Sequence, residues 1–534
     1  MSSRRDILTG TVVGAVGLAA LPHLSSASAC TDKRPAPSWR RGKENQRLAD
    51  LGNGTFLNPV LAGDYADPTV LRDGDEYYMT NSSYDATPGI VLWRSTDLVN
   101  WAPVGPILKK AIGTVWAMDL IKHDGRYFLY IPAFPKGQQS IMVMHSDRID
   151  SGWSEPIDLA IPRIDPGHVV GEDGKRYLFF NGGSRVRLTD DGLALDGTLV
   201  EGAYELWRYP DDWVVEMFAP EGPKFFWKDG FLYLVAAVGG TAGPATSHMV
   251  VVSRSRSVFG PWEQCPHNPI VRTKSDLEPW WSRGHATLLE DPTHQWWMVY
   301  HGYENGYRTL GRQVLLEPVS WDKDGWPHAM GADLSQPLPK PKASKSAPVE
   351  QILSDDFSKD RLGTVWRFHK PKIDELARVH RSNGSMLLKA KGTSPADCSP
   401  LTMIPGDRAY EVQVTLEPMG GAEGGLLFFY NERAYVGCGF DGSKLSTYVY
   451  GERHDWLRIE LKAARVTLRF TNTNQVVTMH YRGGDGAWIK HPWQLEVSGM
   501  HQNVLGSFLS LRPSLFACGA GEVRFREFRY RGLV

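Results

Sequence analysis

From residue 60 to residue 321, short apolar runs alternate with glycine-containing turns, and the runs are rich in aromatic and β-branched residues. Such runs predict strands rather than helices. Each unit begins with a polar or charged residue and continues through a turn, often Asp-Gly, into an aromatic strand. The units begin roughly 45 to 65 residues apart, a length that suits a four-stranded propeller blade. The residues that open them are Asp67, Asp119, Asp165, Glu221 and His285.

Five such units predict a five-bladed β-propeller over residues 58–331. The innermost strand of each blade lines the central channel of a propeller, so residues that open these strands face the axis at one end. We therefore expect four carboxyl groups and one imidazole to converge there.

The pattern changes after the fifth unit. Residues 332–351 are rich in Pro, Lys and Ser and are interpreted as a linker. Beyond them the long repeat disappears, but strand-like runs continue, several alternate polar with apolar positions, and no window has a helical period. Residues 352–534 are therefore predicted to form a β-sandwich. The expected fold class is all-β.

The N-terminus has the pattern of an export signal. Arg4 and Arg5 precede an apolar run from Ile7 to Leu21, and Ala27–Ala29 is a plausible cleavage site. The paired arginines favour the twin-arginine type for residues 1–29. The apolar run is short and rich in glycine, which argues against a membrane span. We expect an exported protein, periplasmic or extracellular, with residues 30–57 as a lead-in and lipid attachment at Cys30 as a weaker alternative.

The composition indicates the number of domains and limits the classes of partner that we expect. The 534 residues exceed what one hydrophobic core usually serves, which indicates at least two domains. The 59 basic and 60 acidic residues give a net charge of −1, which argues against nucleic acid or an acidic membrane surface as a partner. The 19 Trp and 20 Tyr residues suit contacts with sugar rings. The remaining cysteines have no metal-ligand spacing, so free thiols or one disulfide are expected at Cys265, Cys398, Cys438 and Cys518.

Converging carboxyl groups suit glycoside hydrolysis, which needs a protonated acid and, in an inverting enzyme, an ionised base that activates water. We assign Asp67 as the base and Glu221 as the acid. A third carboxylate can raise the pKa of the acid by repulsion. Asp119 is the candidate for that role, but Asp165 has the same register, and the residues themselves do not exclude it.

Several motifs resemble glycoside hydrolase family 43, and residues 58–321 show them in the family's order. They are Asn58–Pro68, Trp116–Leu120, Glu221–Lys224, Gly284-His285 and Leu310–Gln313. Ser257–Glu263 and Asn268–Ile270 resemble the β-xylosidase branch, whose extra C-terminal domain matches a concanavalin-like sandwich over 352–534. Two features depart from the family: Met118 stands where proline is common, and residues 204–217 have no counterpart that we can place.

The resemblance implies an inverting mechanism with Asp67 as base, Asp119 as pKa modulator and Glu221 as acid, and it leaves Asp165 outside this trio. It also implies that Arg312 binds the hydroxyls of the terminal sugar and that Trp116 forms an aromatic wall. His285 is expected at the channel centre, in many relatives beside a cation reached through water. No cofactor is expected to be required, although calcium is possible.

The expected substrate is a xylo-oligosaccharide or an arabinose-decorated polysaccharide, and the expected activity is exo-acting β-D-xylosidase. α-L-Arabinofuranosidase is the alternative, because the two sugars present similar hydroxyl groups. A fructan-cleaving propeller is disfavoured, because Ala66–Thr69 lacks the Asn and Gly residues of its motif. A non-catalytic sugar-binding propeller remains a further alternative. The sandwich is expected either to close the pocket or to bind polysaccharide separately, and the sequence leaves the oligomeric state open.

Overall fold

Five antiparallel sheets in succession form the blades of the β-propeller that the repeat predicts. This computed structural model describes residues 38–342, 349–372 and 374–534. The first three blades contain the strands Thr69–Asp73, Glu76–Thr80, Gly89–Ser95 and Ala102–Leu108; Asp119–His123, Arg126–Ala133, Ser140–Ser146 and Ile157–Asp158; and Gly167–Val170, Arg176–Phe179 and Arg185–Arg187. Blades 4 and 5 contain Glu221–Lys228, Phe231–Val238, Met249–Ser255, Glu263–Gln264 and Val271–Arg272; and Trp280–Glu290, Trp296–Glu304, Arg312–Trp321 and Pro327–Ala329.

The turns follow from local sequence. In the hairpins of blades 2 and 4, two-residue loops join paired strands at Asp124-Gly125 and Asp229-Gly230. All four residues have positive φ, between 48° and 79°. Asp-Gly is the dipeptide that tolerates this conformation and matches the twist of the flanking strands. The sequence pattern that marks the blades therefore also determines their tight inner turns.

The ring closes where its first residues meet its last blade. Leu61 bridges to Val314 in blade 5. The Asn58 side-chain amide donates to the carbonyl of Leu316 (2.9 Å) and accepts the N–H of the same residue (2.8 Å). Adjacent blades pack through separate apolar clusters, such as the one that joins Met79 and Trp93 to blade 5.

The C-terminal third of the chain is a sandwich of two antiparallel sheets around one large apolar core. One sheet contains Ala86–Thr87, Arg367–His369, Leu401–Thr402, Ala422–Asn431, Ala434–Phe440, Lys444–Val449, Glu452–Arg453, Ile459–Glu460 and Arg512–Gly519. The other contains Val379–Arg381, Met386–Lys389, Tyr410–Met419, Val466–Thr473, Val476–Gly483, Ile489–Glu496 and Glu522–Gly532. One α-helix, Gln502–Leu505, is found among the described residues, with 3₁₀ turns at Pro135–Gly137, Asn181–Gly183, Arg308–Leu310, Glu375–Arg378 and Asp455–Leu457.

A short strand from the propeller part of the chain completes one sheet of the sandwich. Ala86–Thr87 belongs to blade 1 in sequence but pairs with Arg367–His369 as the edge of a sandwich sheet. Part of the predicted linker is also strand, since Leu338–Pro339 pairs with Thr55–Phe56. Two short strands at Arg40–Arg41 and Arg47–Leu48 complete the lead-in. The two domains are therefore joined by paired strands and not only by a flexible linker.

Charged side chains are buried where the two domains meet. Arg512 of the sandwich and Asp64 of the propeller form an ion pair at 2.9 Å, and both side chains are almost fully buried. Arg47 pairs with Glu304 at 2.9 Å in the same way, and Arg408 of the sandwich also contacts Glu304. Buried pairs of this kind are strongly destabilising when one partner is lost.

Two further expectations concern cysteine and export. The four described cysteines are buried free thiols, as one of the two sequence alternatives proposed. Among the described residues, no helix is long and apolar enough to cross a lipid bilayer. The predicted export signal and Cys30 lie outside the described residues, so that export stays a prediction.

We predict that Arg512→Ala lowers the free energy of unfolding by ~3–5 kcal/mol, because Asp64 would be left as a buried carboxylate without its partner. Denaturant titration of the full chain measures this change. Arg465→Ala is the matched control, since the exposed Arg465–Asp485 pair (2.9 Å) is expected to contribute less than ~1 kcal/mol. Equal destabilisation by the two variants would contradict the role of the interface pair.

Candidate active site

A cavity of about 190 Å³ lies where the opening residues of the blades converge. Four carboxyl side chains line it: Asp67, Asp165, Glu216 and Glu221. His285 and Arg312 line it as well, together with the aromatic residues Tyr84, Trp116 and Phe508. The structure thus brings together five of the six residues chosen from sequence, and the exception is Asp119.

Asp67 is held as an ionised carboxylate. It has φ of 57° and is followed by Pro68, so its side chain turns toward the axis just before the strand Thr69–Asp73 begins. Arg312 Nη1 donates to Asp67 Oδ1 (2.9 Å), while the hydroxyls of Ser82 (2.5 Å) and Tyr84 (3.1 Å) donate to Oδ2. Burial alone would raise the pKa of Asp67, but the guanidinium of Arg312 above all holds it well below its usual range. Asp67 can therefore serve as a base.

Glu221 has the opposite environment. It opens the strand Glu221–Lys228, and one fifth of its side chain is exposed to the cavity. Burial raises the pKa of Glu221 well above its usual value, and repulsion from Asp165, Asp67 and Glu216 raises it further. The nearby His248 Nε2, at 4.0 Å, adds no positive charge, because burial lowers the pKa of His248 to about 3. The surroundings of Glu221 therefore favour its protonated form, which is the form that an acid catalyst needs.

Asp165 shares a raised pKa with Glu221 but has a different hydrogen-bond partner. Burial and repulsion from Asp67 raise its pKa. Unlike Glu221, its carboxylate accepts a backbone hydrogen bond, from the N–H of Gly222 to Oδ2 at 3.1 Å. Two coupled carboxyl groups share their protons, and a hydrogen bond to the charged form favours ionisation of the group that receives it. We therefore place the shared proton on Glu221, with Asp165 as the repelling charge.

Asp119 instead forms a buried ion pair with Lys224 beside the cavity. Lys224 Nζ donates to Asp119 Oδ1 (2.8 Å) and also to the carbonyl of Met118 (2.8 Å). The N–H of His168 donates to Asp119 Oδ2 (2.8 Å), and the Thr69 hydroxyl donates to Oδ1 (3.2 Å). Asp119 thus links the inner strands of blades 1 to 4 and does not line the cavity. The geometry favours Asp165 for the third catalytic role that the sequence analysis gave to Asp119.

One signal in the sequence separates the two acids. Asp165 is followed by Pro166, as Asp67 is by Pro68, and the two aspartates share a left-handed φ of 55° and 57°. Asp119 is followed by Leu120 and begins its strand directly. The repeated Asp-Pro dipeptide therefore marks the two aspartates that turn into the cavity.

An aromatic wall is built from both domains. Trp116 packs against Phe134 (ring centroids 4.7 Å apart) and against Phe508 of the sandwich (5.8 Å). Phe508 also stacks on Tyr84 at 6.2 Å, and the Arg312 guanidinium lies 5.3 Å from its ring. Arg312 donates a further short hydrogen bond to the Tyr84 hydroxyl. The sequence analysis found Trp116 and Arg312 but missed Phe508 and Tyr84.

Three buried histidines pack against one another, and one of them, His285, lines the cavity. His248 stacks on His301 at 5.3 Å, and His285 lies 6.0 Å from His301. The N–H of Asp67 donates to His301 Nδ1 at 3.0 Å. Burial lowers the pKa of His285 to about 3, which makes this ring neutral, so Arg312 carries the charge that stabilises Asp67. Both ring nitrogens of His285 lack a hydrogen-bond partner within the described residues, as do Nε2 of His248 and of His301.

Comparison with known proteins identifies this arrangement. Residues 56–327 match the family described as Glycosyl hydrolases family 43, and residues 354–531 match the "Beta xylosidase C-terminal Concanavalin A-like domain". The chain belongs to glycosyl hydrolase family 43. The five-bladed propeller, the concanavalin-like sandwich and the cavity between them are those of a glycoside hydrolase of this family.

Named relatives in family 43 divide between two sugars. The chain is 30% identical over 359 residues to the "Non-reducing end alpha-L-arabinofuranosidase BoGH43B" of Bacteroides ovatus, covering 64% of this chain and 66% of the relative. It is 28% identical over 393 residues to the "Xylan 1,3-beta-xylosidase" of a Vibrio species, covering 63% and 69%. The matches thus span about two thirds of these relatives' lengths. The crystal structure of the GH43 BlXynB protein from Bacillus licheniformis superposes with a TM-score of 0.80 at 25% identity, covering 90% of this chain and all of that one.

The resemblance to family 43 suggests calcium. The ligand atoms in and beside the cavity can be compared with those that calcium prefers. Glu221, His248 and His285 offer ligand atoms within 4.8 Å of one another. Calcium prefers six to eight oxygen ligands, whereas this set offers two imidazole nitrogens and one carboxyl group. The residues therefore do not fit directly bound calcium. The unpartnered ring nitrogens fit ordered water, so that a cation held by His285 through water stays a prediction.

We predict that Phe508→Ala lowers kcat/KM for a small aryl glycoside about tenfold, mainly through KM, because the variant removes an apolar wall worth ~1.5 kcal/mol or more. Steady-state kinetics of the purified full chain test this effect. Phe259→Ala is the control, because Phe259 is exposed on the propeller and does not line the cavity. An unchanged KM for Phe508→Ala would show that the sandwich does not contribute to the sugar subsite.

Proposed function

We propose that this chain is an inverting exo-acting glycoside hydrolase that releases a terminal pentose, with β-D-xylosidase as its main activity. One observation supports this proposal above the others. Asp67 and Glu221 line the same small cavity, and their surroundings shift their pKa values in opposite directions. One fold thereby offers a base and an acid at the same pH.

The chemistry follows from these protonation states. Glu221 transfers its proton to the glycosidic oxygen as the bond between that oxygen and the anomeric carbon breaks. Asp67 accepts a proton from water as the water oxygen bonds to the anomeric carbon from the opposite face. The products are a free sugar of inverted configuration and a shortened chain. Asp165 is proposed as the modulator, with Asp119 retained as the alternative that the family resemblance suggested.

The shape of the site supports exo action. At about 190 Å³ the cavity is smaller than the ~300–1,000 Å³ of a typical site for a drug-sized ligand, which suits a ligand as small as one sugar ring. Trp116 and Phe508 close one side of it with apolar surface suited to the C–H face of that ring. An open groove for an internal stretch of polysaccharide would need more space than this cavity offers.

α-L-Arabinofuranosidase is the second candidate. The observation that favours it is the relative from Bacteroides ovatus, which is named for that activity and is 30% identical to this chain. The relative from Vibrio is named for xylosidase activity at 28% identity, so similarity does not separate the two substrates.

A paired assay tests the activity and the substrate together. We expect the wild-type chain to release p-nitrophenol from the β-D-xylopyranoside faster than from the α-L-arabinofuranoside, and Glu221→Ala to lose at least ~100-fold of both activities. NMR of the first product formed is expected to show the inverted anomer. Preference for the furanoside would establish the second candidate, and retention of configuration would contradict the roles of Asp67 and Glu221.

The pH profile tests the assignment of the third acid. Activity is expected to fall at low pH as Asp67 is protonated, and at high pH as Glu221 loses its proton. Asp165→Asn removes a negative charge near Glu221, so the pKa of Glu221 decreases and the alkaline limb shifts to lower pH. Asp119→Asn is the matched variant, and we expect a loss of stability, because Lys224 loses its buried partner, with little movement of that limb. The reverse pattern would assign the modulator role to Asp119.

A further inference from the structure

We propose that His267, Asp322 and His328 form a zinc-binding site at the outer edge of the propeller, between blades 4 and 5. The ligand atoms of the three side chains lie within 4.8 Å of one another. None of the three lines the proposed active site. The proposal goes beyond the hydrolase activity and does not depend on it.

The spacing of the donors matches the ion. Asp322 Oδ2 lies 3.1 Å from Nε2 of His328 and 3.6 Å from Nε2 of His267. In a tetrahedral zinc site with bonds of 2.0–2.1 Å, neighbouring ligand atoms are about 3.3–3.4 Å apart. The two measured edges lie on either side of this value. A hydrogen bond explains only the shorter one, since 3.6 Å is too long for His267 to donate to Asp322.

The carboxylate is oriented for this role. Asp322 Oδ1 accepts the backbone N–H groups of Asp324 and Trp326, both at 2.9 Å, which leaves Oδ2 directed at the two imidazoles. Hydrogen bonds of this kind, to the oxygen that does not face the metal, orient the carboxylates that ligate metals in proteins.

The backbone also fixes both histidines. His328 belongs to the strand Pro327–Ala329 and pairs in register with Ser320 of blade 5. His267 lies in a turn of blade 4, and its neighbour Asn268 bonds both the N–H and the carbonyl of Val252 at 2.8 Å. The three ligands therefore come from ordered hairpin structure on two blades, and a bound ion would fasten the outer edges of those blades together.

The surroundings suit a divalent ion of borderline softness. Two imidazoles and one carboxylate are ligands that zinc accepts, whereas calcium and magnesium prefer sets made of oxygen alone. Arg254, which reaches the same hairpin through the carbonyl of Asp324 (2.7 Å), is paired with Glu263 (2.9 Å) rather than with Asp322. Half of the His267 side chain is exposed, so that water can take the fourth ligand position.

Calorimetric titration of the chelator-treated full chain with zinc chloride tests the site, with thermal unfolding as a second measurement. We expect one binding event that raises Tm, and at least ~10-fold weaker binding in His267→Ala and in His328→Ala. His294→Ala is the matched control, because His294 pairs with a single carboxylate, Glu290, at 3.1 Å on the same propeller. That variant is expected to bind zinc as the wild type does.

The outcomes separate this site from the histidines of the cavity. Hydrolase activity without zinc is expected to be unchanged in all three variants. Zinc bound by Glu221, His248 and His285 would inhibit hydrolysis and would persist in His267→Ala and His328→Ala. The proposal is overturned if the wild type binds no zinc, if the only binding event persists in both triad variants, or if His294→Ala weakens binding as much as they do.

Discussion

The structure depends on keeping several carboxyl groups close together near the axis of a propeller without losing the charge of the one that must act as a base. Arg312 resolves this conflict for Asp67, because it supplies a buried positive charge at hydrogen-bonding distance. Glu221 receives no comparable partner, and burial together with repulsion from its neighbours raises its pKa. The difference in partners thus gives the two carboxyl groups different pKa values, which suit one to act as a base and the other as an acid.

A second buried cation, Lys224, forms an ion pair with Asp119 beside the cavity. Lys224 lies on the strand that Glu221 opens, yet its ammonium group is turned away from Glu221 and onto Asp119. The pair is close to neutral, and it joins the inner strands of neighbouring blades through additional bonds to backbone groups. Asp119 thus matters to the site without lining it.

Much of the fold and of the candidate site could be predicted from the sequence, whereas features that depend on long-range contacts could not. The spacing of the repeats predicted five blades, and the register of their first residues predicted that Asp67, Glu221 and His285 would meet. That register could not distinguish Asp119 from Asp165, because a shared position in the repeat says nothing about which side chain finds a cation. Tyr84 and Phe508 were missed because their role arises largely from long-range contacts, such as the stacking of the two rings on each other across 508−84=424 positions. The same applies to Ala86–Thr87, whose strand partner lies in the other domain.

The shared strand and the joined termini have a consequence for how the protein is made. The side chain of Asn45 bonds to the carbonyl of Gly532, 487 residues away, and the N–H of Gly532 bonds to the carbonyl of Glu44 at 2.8 Å. A chain still emerging from the ribosome therefore lacks partners for the Ala86–Thr87 strand and for its lead-in. Contacts between such distant residues slow folding, because the intervening chain must be ordered before they form. The cavity becomes complete only after Phe508 has been synthesised, so that a chain truncated before this residue would lack part of the aromatic wall.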